Sequence, residues 1–218
     1  MLMFDAGEGL QLALKRGGLG IRALDAVVIT HLHADHVLGL PGIMMFRAQN
    51  ENPGPLTIIG PPGTERFVRN TINDLHYHIN FKLQIIEWSE ESGSHAWSWN
   101  GAKLIWRPVD HSTLCLGYRL EEPERPGRFD LPRAKALGVP SGPLFGQLQS
   151  GRTVVTDAGQ EVHPKEVLGP PRRGRILTYA TDTRPCAGLT RLLDKADLAF
   201  VEGMFALEHG ADAMDKGH

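Results

Sequence analysis

The sequence predicts an α/β chain built in layers with mixed sheets, and three observations predict it. Short apolar, β-rich runs alternate with helical patterns late in the chain, the middle is strand-rich, and one long stretch rich in proline and glycine interrupts the alternation. A length of 218 residues suits one large domain, or one domain with a sizeable insertion.

Residues 26–30 (AVVIT) read as a buried strand, and residues 56–60 (LTIIG) as a second, ended by Pro61-Pro62-Gly63. Thr64 is then placed to cap a helix running through about Ile72, with Phe67, Val68 and Ile72 on one face. Residues 81–87, 102–109 and 114–120 read as three more strands, 175–180 and 198–202 as later ones, with a helix over 189–196 between the last two. Residues 121–175 differ in composition: they hold eight of the 15 prolines and eight of the 25 glycines, with nine basic residues against seven acids. A plain connection is rarely so long, so this stretch is expected to be an insertion that projects from the main body, although its composition also suits a solvated loop.

Bulk composition excludes several classes. Hydrophobic residues make up 41% and charged ones 22%, ordinary globular values, and the formal charge of −2 gives no global nucleic-acid signature, so any RNA contact must use a local patch. The two cysteines, Cys115 and Cys186, form no CxxC pair, which argues against a disulfide scaffold and a thiolate zinc cage. No stretch of about 18 apolar residues exists, so no membrane span is expected. The start of the chain lacks the pattern of a signal peptide, so the expected compartment is the cytoplasm.

The strongest chemical signal is Thr30-His31-Leu32-His33-Ala34-Asp35-His36, directly after an apolar strand. In an extended segment residues two apart point the same way, so His31 and His33 can share one ion. Asp35 and His36 follow as the chain turns, where they can address a second ion. Imidazole with carboxylate favours zinc and related divalent metals. His111, after the strand over 102–109, is the best third ligand for the first ion. Asp182, after the strand over 175–180, has two carboxylate oxygens and can bridge two cations; it is also placed as an ordinary turn or cap aspartate. Two such ions hold a hydroxide and stabilise charge developing on a phosphoryl oxygen. His76, His78, His95, His163 and His209 lack comparable context and are expected on the surface or in the core.

With these residues in view the chain resembles ribonuclease Z, the tRNA 3′-processing endonuclease of the metallo-β-lactamase superfamily. The resemblance runs through Phe4-Asp5-Ala6-Gly7-Glu8-Gly9, the His31–His36 motif with Gly39-Leu40-Pro41-Gly42, His111 with Gly117-Tyr118-Arg119, residues 138–144 (GVPSGPL), Thr181-Asp182-Thr183-Arg184-Pro185, Glu202-Gly203-Met204-Phe205 and Lys216-Gly217-His218, and so covers nearly the whole chain. It implies the metallo-β-lactamase fold, an αββα sandwich, with residues 121–175 as a protruding, substrate-binding arm that clamps tRNA. It implies two Zn²⁺ per subunit, with manganese or another divalent ion as substitutes: His31, His33 and His111 on one, Asp35 and His36 on the other, Asp182 between them. It implies that Asp35 accepts a proton from the attacking water and that Glu202 and His218 act together near the scissile phosphate, His218 assisting the leaving group. The family is typically homodimeric, one subunit's arm presenting tRNA to the other's site.

The chain departs from the family pattern in four places. Members begin with another strand and a glycine-rich loop before the Asp5 segment, and continue past His218 to a final histidine on the second metal, so the resemblance implies a single domain, 1–218, lacking parts of both ends. Thr181 stands where many members have glycine, and Val201 where many have histidine. The first expected function is thus a zinc-dependent endoribonuclease that removes the 3′ trailer of precursor tRNA. The alternatives are another dinuclear hydrolase of the same fold, acting as phosphodiesterase, sulfatase or lactonase, and a truncated, inactive chain that still binds RNA.

Overall fold

A computed structural model describes Met1–Ser89 and Ala96–His218, apart from the side chain of Leu207. The described residues divide into two compact units: Met1–Trp99, Lys103–Leu120 and Ile176–His218 form the first, and Asn100–Ala102 with Glu121–Arg175 the second. His95 lies outside the described residues.

The first unit is built on two sheets. One has four strands in the order β1-β2-β3-β4, where β1 is Leu2–Phe4, β2 Ala26–Val28, β3 Leu56–Gly60 and β4 Leu83–Glu87. All three pairings are parallel. The crossovers carry helices α1 (Leu10–Arg16), α2 (Ala34–Val37), α3 (Leu40–Ala48) and α4 (Thr64–Asp74). The second sheet runs β11-β10-β7-β6-β5, with β5 at Ala96–Trp99, β6 at Ala102–Val109, β7 at Cys115–Glu121, β10 at Ile176–Ala180 and β11 at Leu198–Val201. Helix α7 (Ala187–Leu193) links β10 to its parallel neighbour β11, and α8 (Gly210–Lys216) follows.

The two-residue period of a strand explains the layering. Val27 and Ile58 join the cluster that includes Leu40, Ile43, Met44 and Val68 from α3 and α4. Their neighbours Val28 and Ile59 point the other way, into a cluster with Leu104, Trp106, Leu116 and Tyr118 from β6 and β7. On the far side Leu192 of α7 packs on Val109 and Cys115. The order is therefore helix, sheet, sheet, helix, and a parallel strand covered on both faces is buried at every position, as β3 is.

Several boundaries differ from the sequence expectation, each for a local reason. Strand β2 stops at Val28, because the Thr30 amide donates to the Asp5 carboxylate (2.7 Å) and leaves the sheet ladder. Helix α4 has Gly63, not Thr64, at its N-cap; the Thr64 hydroxyl donates back to the Pro61 carbonyl (2.7 Å), while Glu87 accepts from the amides of Gly63 and Glu65 (2.9 and 2.8 Å). Helix α7 begins two residues before the expected 189 because Cys186 Sγ accepts from the Leu189 amide, and it ends at Leu193 where Asp194 becomes extended.

The second unit has its own core. Ala134, Val139, Leu148, Val154, Val162 and Val167 are buried together, with Phe129 and Phe145 packed against them. They come from helices α5 (Leu131–Ala136) and α6 (Pro143–Gln149), the β8–β9 pair (Val154–Val155 and Glu161–Val162) and the loops between. Asp130 caps α5 by accepting from the Arg133 amide (2.9 Å). The entering and leaving chains pair at Arg125 with Arg172 and at Phe129 with Leu168. Gly127 permits this pairing, since a Cβ there would lie 1.9 Å from the Gly169 carbonyl oxygen.

Candidate metal centre

Where β2 ends, the chain stays extended through His33, which is the N-cap of α2 (φ −67°, ψ 150°). Asp35 and His36 therefore fall in the first turn of a short helix, and that helix is pinned from the β1 side. The Ala6 amide donates to the His36 carbonyl and the Gly39 amide to the Ala6 carbonyl, both at 2.8 Å. The approach is so close that a Cβ on Gly39 would lie 2.0 Å from the Gly7 carbonyl oxygen.

Two loops of the other sheet close on this segment. Asp110 and Arg184 form a bridge, with the Arg184 amide 2.8 Å from the Asp110 carbonyl and the Asp110 amide donating to Thr183 Oγ1 at 3.1 Å. This places His111, one residue after Asp110, beside Asp182, which adopts a left-handed backbone (φ 42°).

The donors converge. His31 Nε2 lies 3.0 Å from His33 Nδ1, and His111 Nε2 lies 3.2 Å from the same His33 atom. Asp182 Oδ2 is 3.8 Å from His31 Nε2, 3.5 Å from His36 Nε2 and 4.0 Å from His111 Nε2. Asp35 Oδ2 is 3.5 Å from His36 Nε2. Three groups result, each with its ligand atoms within 4.8 Å of one another: His31, His33, His111 and Asp182; Asp35, His36 and Asp182; Asp182, Glu202 and His218. Glu202 Oε2 is 2.5 Å from His218 Nδ1, while its other oxygen accepts from the Thr183 amide. A cavity of about 200 Å³ beside this pair is lined by Thr183, Met204, Phe205 and Ala213.

This donor set fits divalent cations. Three of the imidazoles have an outer partner on Nδ1: Thr30 Oγ1 for His31 (3.0 Å), Asp5 for His36 (2.9 Å) and the Gly217 carbonyl for His111 (2.9 Å). That leaves Nε2 free for the cluster, the arrangement that orients metal-binding histidines. Charge points the same way. Burial, followed by the neighbouring His36 charge, pushes His31 down to about 3, so its ring is neutral and a ready ligand. Burial also lowers His36, but hydrogen bonds to Asp182 and Asp5 outweigh it and raise the ring to about 10. The hydrogen bond from His36 lowers Asp182 in turn. Without an ion, one imidazolium must answer the surrounding carboxylates, a task that cations perform in a metal site.

All of the residues singled out from the sequence for this centre thus lie in one place. His76, His78, His163 and His209 belong to none of the donor groups among the described residues. Asp5 was not singled out as functional. The signal was a carboxylate closing a short apolar run before Gly7-Glu8-Gly9, but its partners Thr30 and His36 lie 25 and 31 residues away.

Comparisons with known proteins bear on the whole chain. Residues 1–111 match the family model described as Anti-Pycsar protein Apyc1. A protein of Salinibacter ruber named Ribonuclease Z is 40% identical over 221 aligned residues, which cover 100% of this chain and 68% of that protein. Among solved structures, the short form of human tRNase Z superposes with a TM-score of 0.68 at 19% identity, covering 100% of this chain and 72% of that one. A metallo-β-lactamase fold protein of Bacillus subtilis superposes with a TM-score of 0.59 at 17% identity, covering 100% and 64%.

Proposed function

The chain belongs to the ribonuclease Z family and has the metallo-β-lactamase fold, with residues 1–111 also within the Apyc1 family, and from that premise we propose that it is a zinc-dependent endoribonuclease that removes the 3′ trailer from precursor tRNA. One observation supports the hydrolytic part above the others: Asp182 belongs to all three donor groups, so two candidate cation sites and the Glu202–His218 pair meet at one carboxylate.

His31, His33 and His111 would hold one ion with Asp182, and Asp35 and His36 the other with Asp182. Such a pair supplies Lewis acidity at the phosphoryl oxygens and lowers the pKa of water towards 7. Asp35, whose side chain is 73% exposed, takes the proton of the attacking water. The water oxygen bonds to phosphorus, and the bond from phosphorus to the 3′ oxygen of the tRNA body breaks. His218 delivers a proton to that leaving oxygen, and Glu202, hydrogen-bonded to its Nδ1, holds the ring in place. The products are a tRNA body with a 3′-hydroxyl and a trailer with a 5′-phosphate.

Residues 121–175 serve as the substrate-binding arm. Their separate core and nine basic residues support a rigid platform for phosphates. The working form is a cytoplasmic homodimer. The test offers the purified chain, with zinc or manganese, a precursor tRNA bearing a 3′ trailer beside a small phosphodiester. Trailer release, abolished by a chelator, is expected. Cleavage of the small diester with the precursor tRNA left intact would overturn the reading in favour of a small-substrate hydrolase.

A further inference from the structure

Three consecutive residues after β10 each reach a different part of the centre. Asp182 supplies the shared carboxylate, the Thr183 amide donates to Glu202, and the Arg184 side chain reaches helix α8. The guanidinium spans two elements. Its Nη1 donates to Asp110 Oδ1 at 3.2 Å, on the loop that carries His111, and its Nε donates to the Met214 carbonyl at 2.8 Å.

Met214 lies in the last turn of α8, where carbonyls lack helical partners and a cation is favoured. That turn ends at Gly217, whose left-handed backbone (φ 86°) lets the chain reverse. The Gly217 and His218 amides both donate to the Ala213 carbonyl, the second at 2.8 Å. The turn is seated closely on the β6–β7 loop, since a Cβ on Gly217 would lie 2.9 Å from His111 Nδ1 and 3.1 Å from the Ser112 amide nitrogen. His218 follows directly and meets Glu202 through its Nδ1. The place of the His218 ring is thus set by the place of that last turn, and Arg184 ties the turn to the metal loop without itself belonging to a donor group. From this geometry we infer that Arg184 is a positioning residue for proton transfer: it clamps the end of α8 to the loop of His111, and so holds His218 where it can protonate the leaving oxygen. The inference rests on the role proposed above for His218.

The test uses the full chain as Arg184→Met, His218→Ala and the double variant. Methionine keeps much of the length of arginine and none of its donors. A 4-nitrophenyl phosphodiester releases a stable anion that needs no proton, whereas the 3′ oxygen of a tRNA body does need one. Arg184→Met should therefore lower the ratio of precursor-tRNA cleavage to nitrophenyl diester hydrolysis about 10- to 100-fold, the scale of a misplaced reacting group. The loss should fall on kcat rather than KM, with zinc content retained. In the His218→Ala background the same change should cost nothing further, because a residue that acts through His218 then has nothing left to position. In metal-free protein, hydrogen exchange at the Gly217 and His218 amides should be faster in Arg184→Met, while the amides of β3 keep their rates.

Equal losses on both substrates, losses that multiply in the double variant, or unchanged exchange at Gly217 and His218 would each overturn the inference. A His218→Ala chain as active as wild type would overturn it together with the role of His218. If Arg184→Met fails to fold, Arg184→Lys decides by the same measurements, because one ammonium cannot serve both Asp110 and Met214. A wild-type chain that hydrolyses the nitrophenyl diester yet leaves precursor tRNA intact would lose the endonuclease reading alone, and the exchange rates, which involve no substrate, would then decide this inference.

Discussion

At the scale of single residues, the shared donor and the acid pair should separate metal binding from proton transfer. The double change His31→Ala with His33→Ala removes two of the four donors of the first group, so elemental analysis should find that ion lost, and hydrolysis with it. Unchanged metal content would contradict the ligand assignment. If Glu202 holds His218 rather than an ion, Glu202→Gln should behave differently: kcat should fall by about 10²–10⁴, the range of a positioned general acid, with metal content and KM unchanged. Much of this residue set was legible in the sequence, because His31, His33, Asp35 and His36 fall within six residues, and His111 and Asp182 each follow a recognisable strand. Asp5 was not, since its importance lies in contacts to residues far along the chain, and short-range pattern reading does not reach them.

At the scale of elements, the fit of the histidine segment against the β1 loop is the sensitive feature. Gly39→Ala would drive a Cβ to 2.0 Å from the Gly7 carbonyl oxygen, a backbone atom that cannot swing aside, so the segment joining α2 to α3 must shift. Overpacking of this kind costs about 1–3 kcal/mol or more, and the shift should lower zinc occupancy of the Asp35–His36 group as well as the denaturant midpoint. Gly42→Ala is the contrast. Its Cβ would meet only the side chain of Gln11, at 3.4 Å, and helix propensity favours alanine by up to about 1 kcal/mol, so the midpoint should hold or rise. Strand β3 was legible to its ends because Pro55 and Pro61 flank it, and β6 because its buried positions alternate with Lys103 and its neighbours as a two-residue period requires. Strand β1, only three residues long, carries too short a pattern to distinguish from loop, and it forms because Asp25 and β2 lie ready beside it: the Asp25 amide donates to Met1, and β1 pairs with β2 in parallel. The helices of residues 131–149 were hidden by prolines that mark helix starts, Pro132 and Pro143, rather than breaks.

At the scale of the molecule, the two units should be separable in function. The chains that enter and leave the second unit pair along 125–129 and 168–172, so residues 126–170 can be excised and the ends joined by a short linker. Hydrolysis of a small phosphodiester should survive, while precursor-tRNA cleavage should collapse. In the intact chain tRNA affinity should fall with salt, with a log–log slope of about 0.7–0.9 per phosphate contact, and the excised chain should show a shallower slope. Equal loss of both activities in a folded excised chain would contradict the arm assignment. Solubility is a second property at this scale. Edge strand β11 leaves Leu198, Phe200 and Val201 half-exposed, and such an edge invites pairing between chains. Phe200→Lys should therefore raise the concentration at which light scattering first detects association.

If water attacks the phosphorus of a precursor tRNA at this metal centre, cleavage in water labelled with ¹⁸O, followed by mass spectrometry of both products, should find one ¹⁸O in the 5′-phosphate of the released trailer and an unlabelled tRNA body ending in a 3′-hydroxyl. A tRNA body ending in a 2′,3′-cyclic phosphate, or a trailer phosphate free of label, would contradict it.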